Sequence, residues 1–342
     1  MMIPAIKTIK HPAITLGPSQ LQNLKTSKNS PNEILKAGFN ILSKNANLDH
    51  KSRALVRVDI GPFGAGIGHE EFIGDAMQIY NLALMFIATN DIRYKQKAMQ
   101  IQDDWNFRCK SFSGANAPLE CAWGSTCMIR AIELLKHTSS PHGLDKAFES
   151  RFQLFLQTIV IPNLLSRYYE ITKWNNNWIL TIQEALLQYY LYKDDINNAN
   201  KIIEDFIDTV QRCLNHECGM CTETKRDLIH TQFQIGSIVQ VAELCLHQGL
   251  DIYNIHSDCI PKCMEYHAAI LNGTIPEQLK KEELKDNWFM PSVWEIGHNH
   301  FTHRKTHKSL MLETTKLLNT KKNRPEKLTF NWGPAWIHHN SF

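Results

Sequence analysis

The residues best equipped for chemistry stand together between Glu223 and His230, where Glu223, Lys225, Arg226, Asp227 and His230 share one short stretch. Arginine is a permanent cation whose planar fork can grip a carboxylate through two hydrogen bonds. An imidazole titrates close to neutrality and serves as a general base without extreme tuning. Arg226 and His230 are one helical turn apart, so both side chains can face one cleft. Such a pair would hold an acidic group and take a proton beside it. The same cluster could instead be a charged helix entry, because carboxylates favour the positive end of a helix dipole. Downstream, Ile235, Ile238, Val239, Ala242 and Leu246 recur at helical spacing. The run stops at Gly249, a residue that takes the left-handed backbone of a helix end at no steric cost.

Two clusters have the residue types of a metal site. Cys213, His216, Cys218 and Cys221 read C-x-x-H-x-C-x-x-C. Structural zinc usually joins two ligand pairs across a longer loop, so four ligands this close would form a strained cage. His298, His300, His303 and His307 form the second cluster, and a solvated or ligand-facing surface suits them better than a metal. No metal and no cofactor are therefore expected. Nine cysteines without regular spacing do not suggest a disulfide framework.

The elements that must position these groups read as helices. Pro18-Ser19 opens a short helix with Leu21 and Leu24, and Pro31 opens one carrying Ile34, Leu35, Phe39 and Leu42. Val56–Gly68, with four glycines and a proline, reads as an irregular rim loop. From His69 helices follow one another. Phe72, Ala76, Ile79, Ala83 and Phe86 form one stripe; Ala98, Ile101 and Trp105 the next; Leu119, Cys127, Ile132 and Leu135 a third. A long helix from Leu144 to Tyr169 should bend near Pro162. Ile179–Lys193, Asn197–Leu214, Asp227–Gln248 and Pro261–Leu271 continue the series. Lys280–Asp286 is a charged connector, Pro291–Leu318 is helical again, and the tail with Phe330, Trp332 and Trp336 is apolar enough to pack back on the body. Helices of similar length joined by short polar turns imply an all-α chain of antiparallel hairpins. The reading is one domain over 1–342, with 1–30 as a lead-in and 280–342 packed back.

Composition narrows the classes. At 342 residues, 43% hydrophobic and 21% charged, the chain can bury a large core. A net charge of +3 does not suggest a nucleic-acid partner, though a mildly basic cleft would suit an anionic polymer. The longest apolar run, near Leu82–Ala88, is too short to span a bilayer, so no membrane association is expected. No signal peptide is evident, which favours an intracellular protein or one released without a classical export signal.

The order E-x-x-R-D-x-x-x-H from Glu223 to His230, then Ala242-Glu243-Leu244, then Gly249-Leu250-Asp251-Ile252-Tyr253, resembles a signature of the alginate lyase-like superfamily of polysaccharide lyases. The resemblance extends to Asn116 with Trp123, to Asn175-Asn176-Asn177-Trp178, and to Trp294-Glu295 with Asn299 and Arg304. It implies an (α/α) toroid with an open groove, and cleavage of a uronic-acid polysaccharide such as alginate or glucuronan by β-elimination. That reaction removes a weakly acidic proton beside a carboxylate, so it needs donors on the carboxylate, a base and an acid. By resemblance, Asn177 and Arg226 hold the carboxylate, His230 is the base, and His298 or His300 assists the leaving oxygen, since Phe301 stands where a Tyr might be expected. Asn116, Trp123, Asn176, Trp178, Glu223, Glu295, Asn299 and Arg304 would contact substrate. A glycoside hydrolase on the same toroid, drawing on Glu223, Asp227 and Glu295, and a non-catalytic glycan-binding protein remain alternatives.

Overall fold

Among the described residues, six helices begin where the chain supplies a short polar side chain to accept from the first free backbone N–H groups. Asn32, Asp91, Asp145, Asn176, Asp195 and Asp227 each do so. The computed structural model describes residues 5–61, 65–138, 143–256, 258–277, 279, 289–304, 310–321 and 332–339. In chain order its elements are α1 (Pro18–Thr26), α2 (Glu33–Asn45), β1 (Arg57–Ile60), β2 (Gly66–Ile67), α3 (His69–Thr89), α4 (Ile92–Arg108), β3 (Ser111–Ser113) and α5 (Ala117–Thr138). Then come α6 (Lys146–Phe155), α7 (Ile161–Ile171), α8 (Asn177–Tyr192), α9 (Ile196–Cys213), α10 (Leu228–His247), α11 (Cys259–Leu271), α12 (Pro291–Asn299) and α13 (Leu312–Lys321).

These helices form an incomplete (α/α) toroid. Among the described residues α3, α5, α8, α10 and α12 make the inner ring, and the helices between them in sequence pack outside. The inner helices run parallel. Phe72 of α3 lies against Gly124 of α5, where an added Cβ would come within 2.2 Å of the Phe72 ring. Thr181 of α8 meets Ser237 of α10 at 3.3 Å, and Trp294 of α12 donates to Gln232 of α10 at 3.2 Å. Five helix N-termini therefore face one end of the ring. Farther down, Arg130 of α5 donates to Glu184 (3.0 Å) and Gln188 (3.1 Å) of α8 and to Gln240 (3.1 Å) of α10, all buried. Trp332 closes over this network. It lies on Gly236, which leaves room for the indole, and donates to Glu184 at 3.3 Å.

Three details depart from the sequence reading. The stretch Val56–Gly68 is not wholly irregular: β1 pairs antiparallel with β2 and parallel with β3, Val58 facing Phe112. Four residues of alternating exposure are too few to stand out from a glycine-rich background. The long helix after Leu144 divides into α6 and α7 at a π-turn, Leu156–Val160, just ahead of Pro162, whose ring nitrogen has no proton to give the preceding turn. The Pro291–Leu318 helix divides as well, with a π-turn at His300–Arg304 and α13 beginning at Leu312. Lys280–Asp286, His307 and Phe330 lie outside the described residues. Helix α3 is long and apolar enough to cross a membrane by composition, and 72% of its most apolar window is buried within the ring.

The N-terminal segment is tied to the toroid by His11, whose Nδ1 lies 2.5 Å from Glu133 Oε1 and whose Nε2 lies 2.9 Å from Asp194 Oδ1. The hydrogen bond to Glu133, against the effect of burial and with help from Asp194, raises the His11 pKa from 6.5 to about 9. A folded-state pKa above the unfolded value stabilises fully below pH 6.5, and that stabilisation is lost as pH rises through 9. Solvent screening of the part-exposed pair holds the expected loss to about 1–2 kcal/mol. Urea denaturation on either side of this window should show the loss in wild type and not in His11→Gln; equal losses in both would refute the assignment.

Candidate active site

Helix α10 and the turn before it place the central group. Asp227 is the N-cap of α10: its Oδ1 accepts from the His230 backbone N–H at 2.7 Å, and its Oδ2 lies 2.6 Å from His230 Nδ1. The cap thus holds the ring with Nδ1–H toward the carboxylate and directs Nε2 away from it, as a general base requires. The His230 side chain is 28% exposed and its ring meets the Phe233 ring edge-on at 5.9 Å. Arg226, 46% exposed, lies beside it, with Nη1 3.6 Å from Glu223 Oε2 and Nε 3.9 Å from Asp227 Oδ2.

Glu223 joins two of the elements. Buried, it accepts from the Asn177 backbone N–H through Oε1 at 3.2 Å and faces Arg226 through Oε2. Its backbone N–H donates to Gln234 Oε1 at 3.1 Å, one helical turn beyond His230. Its place is to set Arg226 against the start of α8, a positioning task rather than the substrate contact expected from the sequence. Asn177 is fully buried at that start, and neither polar atom of its amide has a partner. A buried amide left unpaired costs about 1–3 kcal/mol, so this one stands ready for a ligand group or water.

Several other candidates are used elsewhere. The Asn176 side chain caps α8, accepting from Trp178 N at 3.2 Å and Ile179 N at 3.5 Å. Trp178 turns toward α7, with Trp174 at 6.4 Å and the Arg167 guanidinium 5.8 Å from its ring. Trp123 is buried against Phe233 at 5.3 Å, so it supports the floor beneath His230 and presents no open face for a sugar. Asn116 is half-buried at the entry to α5, at the same end of the ring, its backbone N–H bonded to Ile60 O at 3.0 Å.

The C-terminal candidates do not converge on His230. Helix α12 runs parallel to α10, so each later residue lies farther from the His230 end. Arg304 donates to Glu243 Oε2 at 2.8 Å and Oε1 at 2.9 Å. Glu243 is thirteen residues beyond His230 on α10, about 20 Å along the axis. Burial opposes ionisation of Glu243, yet His247 and Arg304 outweigh it and hold the carboxyl well below its usual range. His300 is buried and stacks on Tyr253 at 3.8 Å, and Tyr253 in turn donates to Glu243. His298 faces Thr315 Oγ1 at 2.9 Å, and burial lowers its pKa, which favours the neutral ring. Glu295 pairs with His339 at 2.8 Å, and Asn299 is buried with its amide unpaired. The expected acid role of His298 or His300, and the substrate contacts assigned to Glu295, Asn299 and Arg304, are therefore not supported by position.

One imidazole at the ring's N-terminal end escaped the sequence reading. His69, first residue of α3, lies 2.7 Å from Glu120 Oε1 of α5. That hydrogen bond, against burial, raises its pKa and favours the cation. Its only signal in sequence is its place directly after the glycine-rich rim.

A helical toroid with parallel inner helices, five positive helix ends at one face, and an arginine beside a carboxylate-held histidine defines the helical, polymer-cleaving class of carbohydrate enzymes. The family model for alginate lyase matches residues 66–271, and the chain belongs to that family. Membership makes it a polysaccharide lyase. An alginate lyase from Bacteroides ovatus has a similar fold, with a TM-score of 0.67, 14% identity, and coverage of 97% of this chain and 98% of that one. A histidine-to-alanine variant of alginate lyase A1-III complexed with tetrasaccharide gives 0.65, 16%, 89% and 89%. Alginate lyase A1-III from Sphingomonas species A1 gives 0.62, 13%, 90% and 92%. No curated protein matches the chain.

Proposed function

We propose that the chain cleaves a uronate polymer such as alginate or glucuronan, with His230 as the base. The observation that carries this is the Asp227–His230 pair, its Nε2 turned away from the cap and Arg226 beside it. The substrate carboxylate pairs with Arg226, which lowers the cost of charge building at the neighbouring carbon. The His230 Nε2 takes the proton α to that carboxylate, the electron pair forms the new carbon–carbon double bond, and the glycosidic C–O bond breaks. The leaving oxygen then takes its proton from the His230 imidazolium, so one residue serves as base and acid. On this reading Asn177, beside Glu223 with its amide unpaired, adds a donor to the same carboxylate. Five helix N-termini, each equivalent to roughly half a positive charge, add to Arg226 in drawing an anionic chain to this end.

The hydrolase alternative is less favoured, because its carboxylates are engaged: Glu223 with Asn177 and Arg226, Asp227 with His230, and Glu295 with His339. Inversion or retention needs two carboxyl groups free to flank one bond. Incubation with alginate blocks, glucuronan and other uronates should raise the ultraviolet absorbance of an unsaturated uronate on at least one polymer. New reducing ends without that absorbance would overturn the lyase reading in favour of hydrolysis. Saturable binding without product would overturn it in favour of a glycan-binding role.

A further inference from the structure

The Cys213–His216–Cys218–Cys221 cluster, too tightly spaced in sequence for an unstrained metal cage, does not assemble. Cys218 is exposed, and His216 Nδ1 lies 3.2 Å from the carbonyl oxygen of His256. One member, Cys221, instead meets two residues of α11. Cys221, Cys263 and His267 are all buried, and one potential ligand atom from each lies within 4.8 Å of the others. Cys263 and His267 are four residues apart on one face of the helix, while Cys221 belongs to the turn that leads to Arg226 and Asp227.

The local bonding prepares the imidazole. His267 Nδ1 lies 2.7 Å from the Cys263 carbonyl oxygen, which takes the Nδ1 proton and leaves Nε2 as the acceptor of the ring. That Nε2 points to Thr224 Oγ1 at 2.8 Å and lies 4.0 Å from Cys221 Sγ. A histidine ligand fixed through its second nitrogen by a carbonyl is the usual outer support of a metal-bound imidazole. Zinc–sulfur and zinc–nitrogen bonds of about 2.3 and 2.0–2.1 Å at a tetrahedral angle set sulfur and nitrogen roughly 3.6 Å apart. The Cys221 Sγ to His267 Nε2 distance need close by only a few tenths of an ångström. Thr224 Oγ1 lies 3.4 Å from Cys221 Sγ, and Cys263 Sγ lies 3.6 Å from His267 Nδ1.

We infer that Cys221, Cys263 and His267 form a structural site for a zinc-class divalent cation, which fastens the turn bearing Arg226 and Asp227 to α11. Binding releases two thiol protons to solvent, so two thiolates, one neutral imidazole and the dication give a site of zero net charge. That balance suits full burial, where an uncompensated charge is costly. None of the three ligands takes part in the proposed proton transfer, and the inference does not depend on the lyase reading.

The test uses the full chain, stripped with a chelator under reducing conditions and then given zinc or cobalt alone. The expected result is one metal per chain, a higher melting temperature on zinc addition, and a thiolate-to-cobalt charge-transfer band. Cys263→Ser and His267→Gln should lose the band and the melting shift, whereas Cys218→Ser keeps both. Failure of the folded wild type to take up either metal would overturn the inference without reference to any variant. So would uptake undiminished in Cys263→Ser, or a native protein two hydrogens lighter with Cys221 and Cys263 joined.

Discussion

His230→Ala should lower turnover by about 10²–10⁴-fold, the usual contribution of a positioned general base, with the helical circular dichroism unchanged. The ring is part-exposed and its chief packing partner is the edge of Phe233, so its removal leaves the core intact. Asp227 still caps α10 after the change, since its Oδ1 accepts from the backbone N–H at position 230, which alanine retains. Asp227→Asn gives the companion result. Asparagine caps a helix as well as aspartate does, so the fold persists, but a neutral amide no longer stabilises the imidazolium formed after proton abstraction. Rate should therefore fall with little change in melting temperature. Turnover retained in His230→Ala, measured on whichever uronate the wild type cleaves, would remove His230 from the mechanism.

The largest expected effect on stability belongs to Arg130→Met. Its guanidinium is fully buried and bonds Glu184, Gln188 and Gln240, drawing α5, α8 and α10 together below the site. Burial raises the Glu184 pKa even with Arg130 and Trp332 acting to lower it. Without Arg130, Glu184 must either stay charged in a dry interior or bind a proton. Breaking one side of such a pair costs about 3–5 kcal/mol, which chemical denaturation reads directly. Adding Glu184→Gln to Arg130→Met should restore part of the loss, because the stranded charge is gone. A loss below about 1 kcal/mol in the single variant would show that the network contributes order rather than stability.

The parts of the molecule legible in sequence were those whose physics is local. Apolar residues at helical spacing bury one face of each helix, and the caps sit at its start, so α3, α5, α8, α9 and α10 appear close to their real bounds. The Asp227–His230 pair is just as local, since three residues of helix bring the two side chains together, yet the sequence reading sets His230 beside Arg226 and does not single out Asp227 as its partner. Arg130 and Glu133 are also three residues apart on one helix, and there the local logic fails. Glu133 turns outward to His11 and His137, while Arg130 turns inward to residues 54 and 110 positions away. Both choices satisfy helix geometry, and only the packing of α8 and α10 against α5 selects between them.

The same division explains the remaining outcomes. Sequence alone determined that the chain is helical, where several of its helices start, and that a histidine can stand beside an arginine at the head of α10. Tertiary structure alone decided which distant residues share that end. The parallel course of α12 carries His300 and Arg304 to Glu243 and Tyr253, away from His230. The docking of α11 brings Cys263 and His267 to Cys221 across more than forty residues. Contacts within one turn follow from backbone geometry, whereas contacts between helices depend on how ridges, burial and unpaired polar groups are settled over the whole ring.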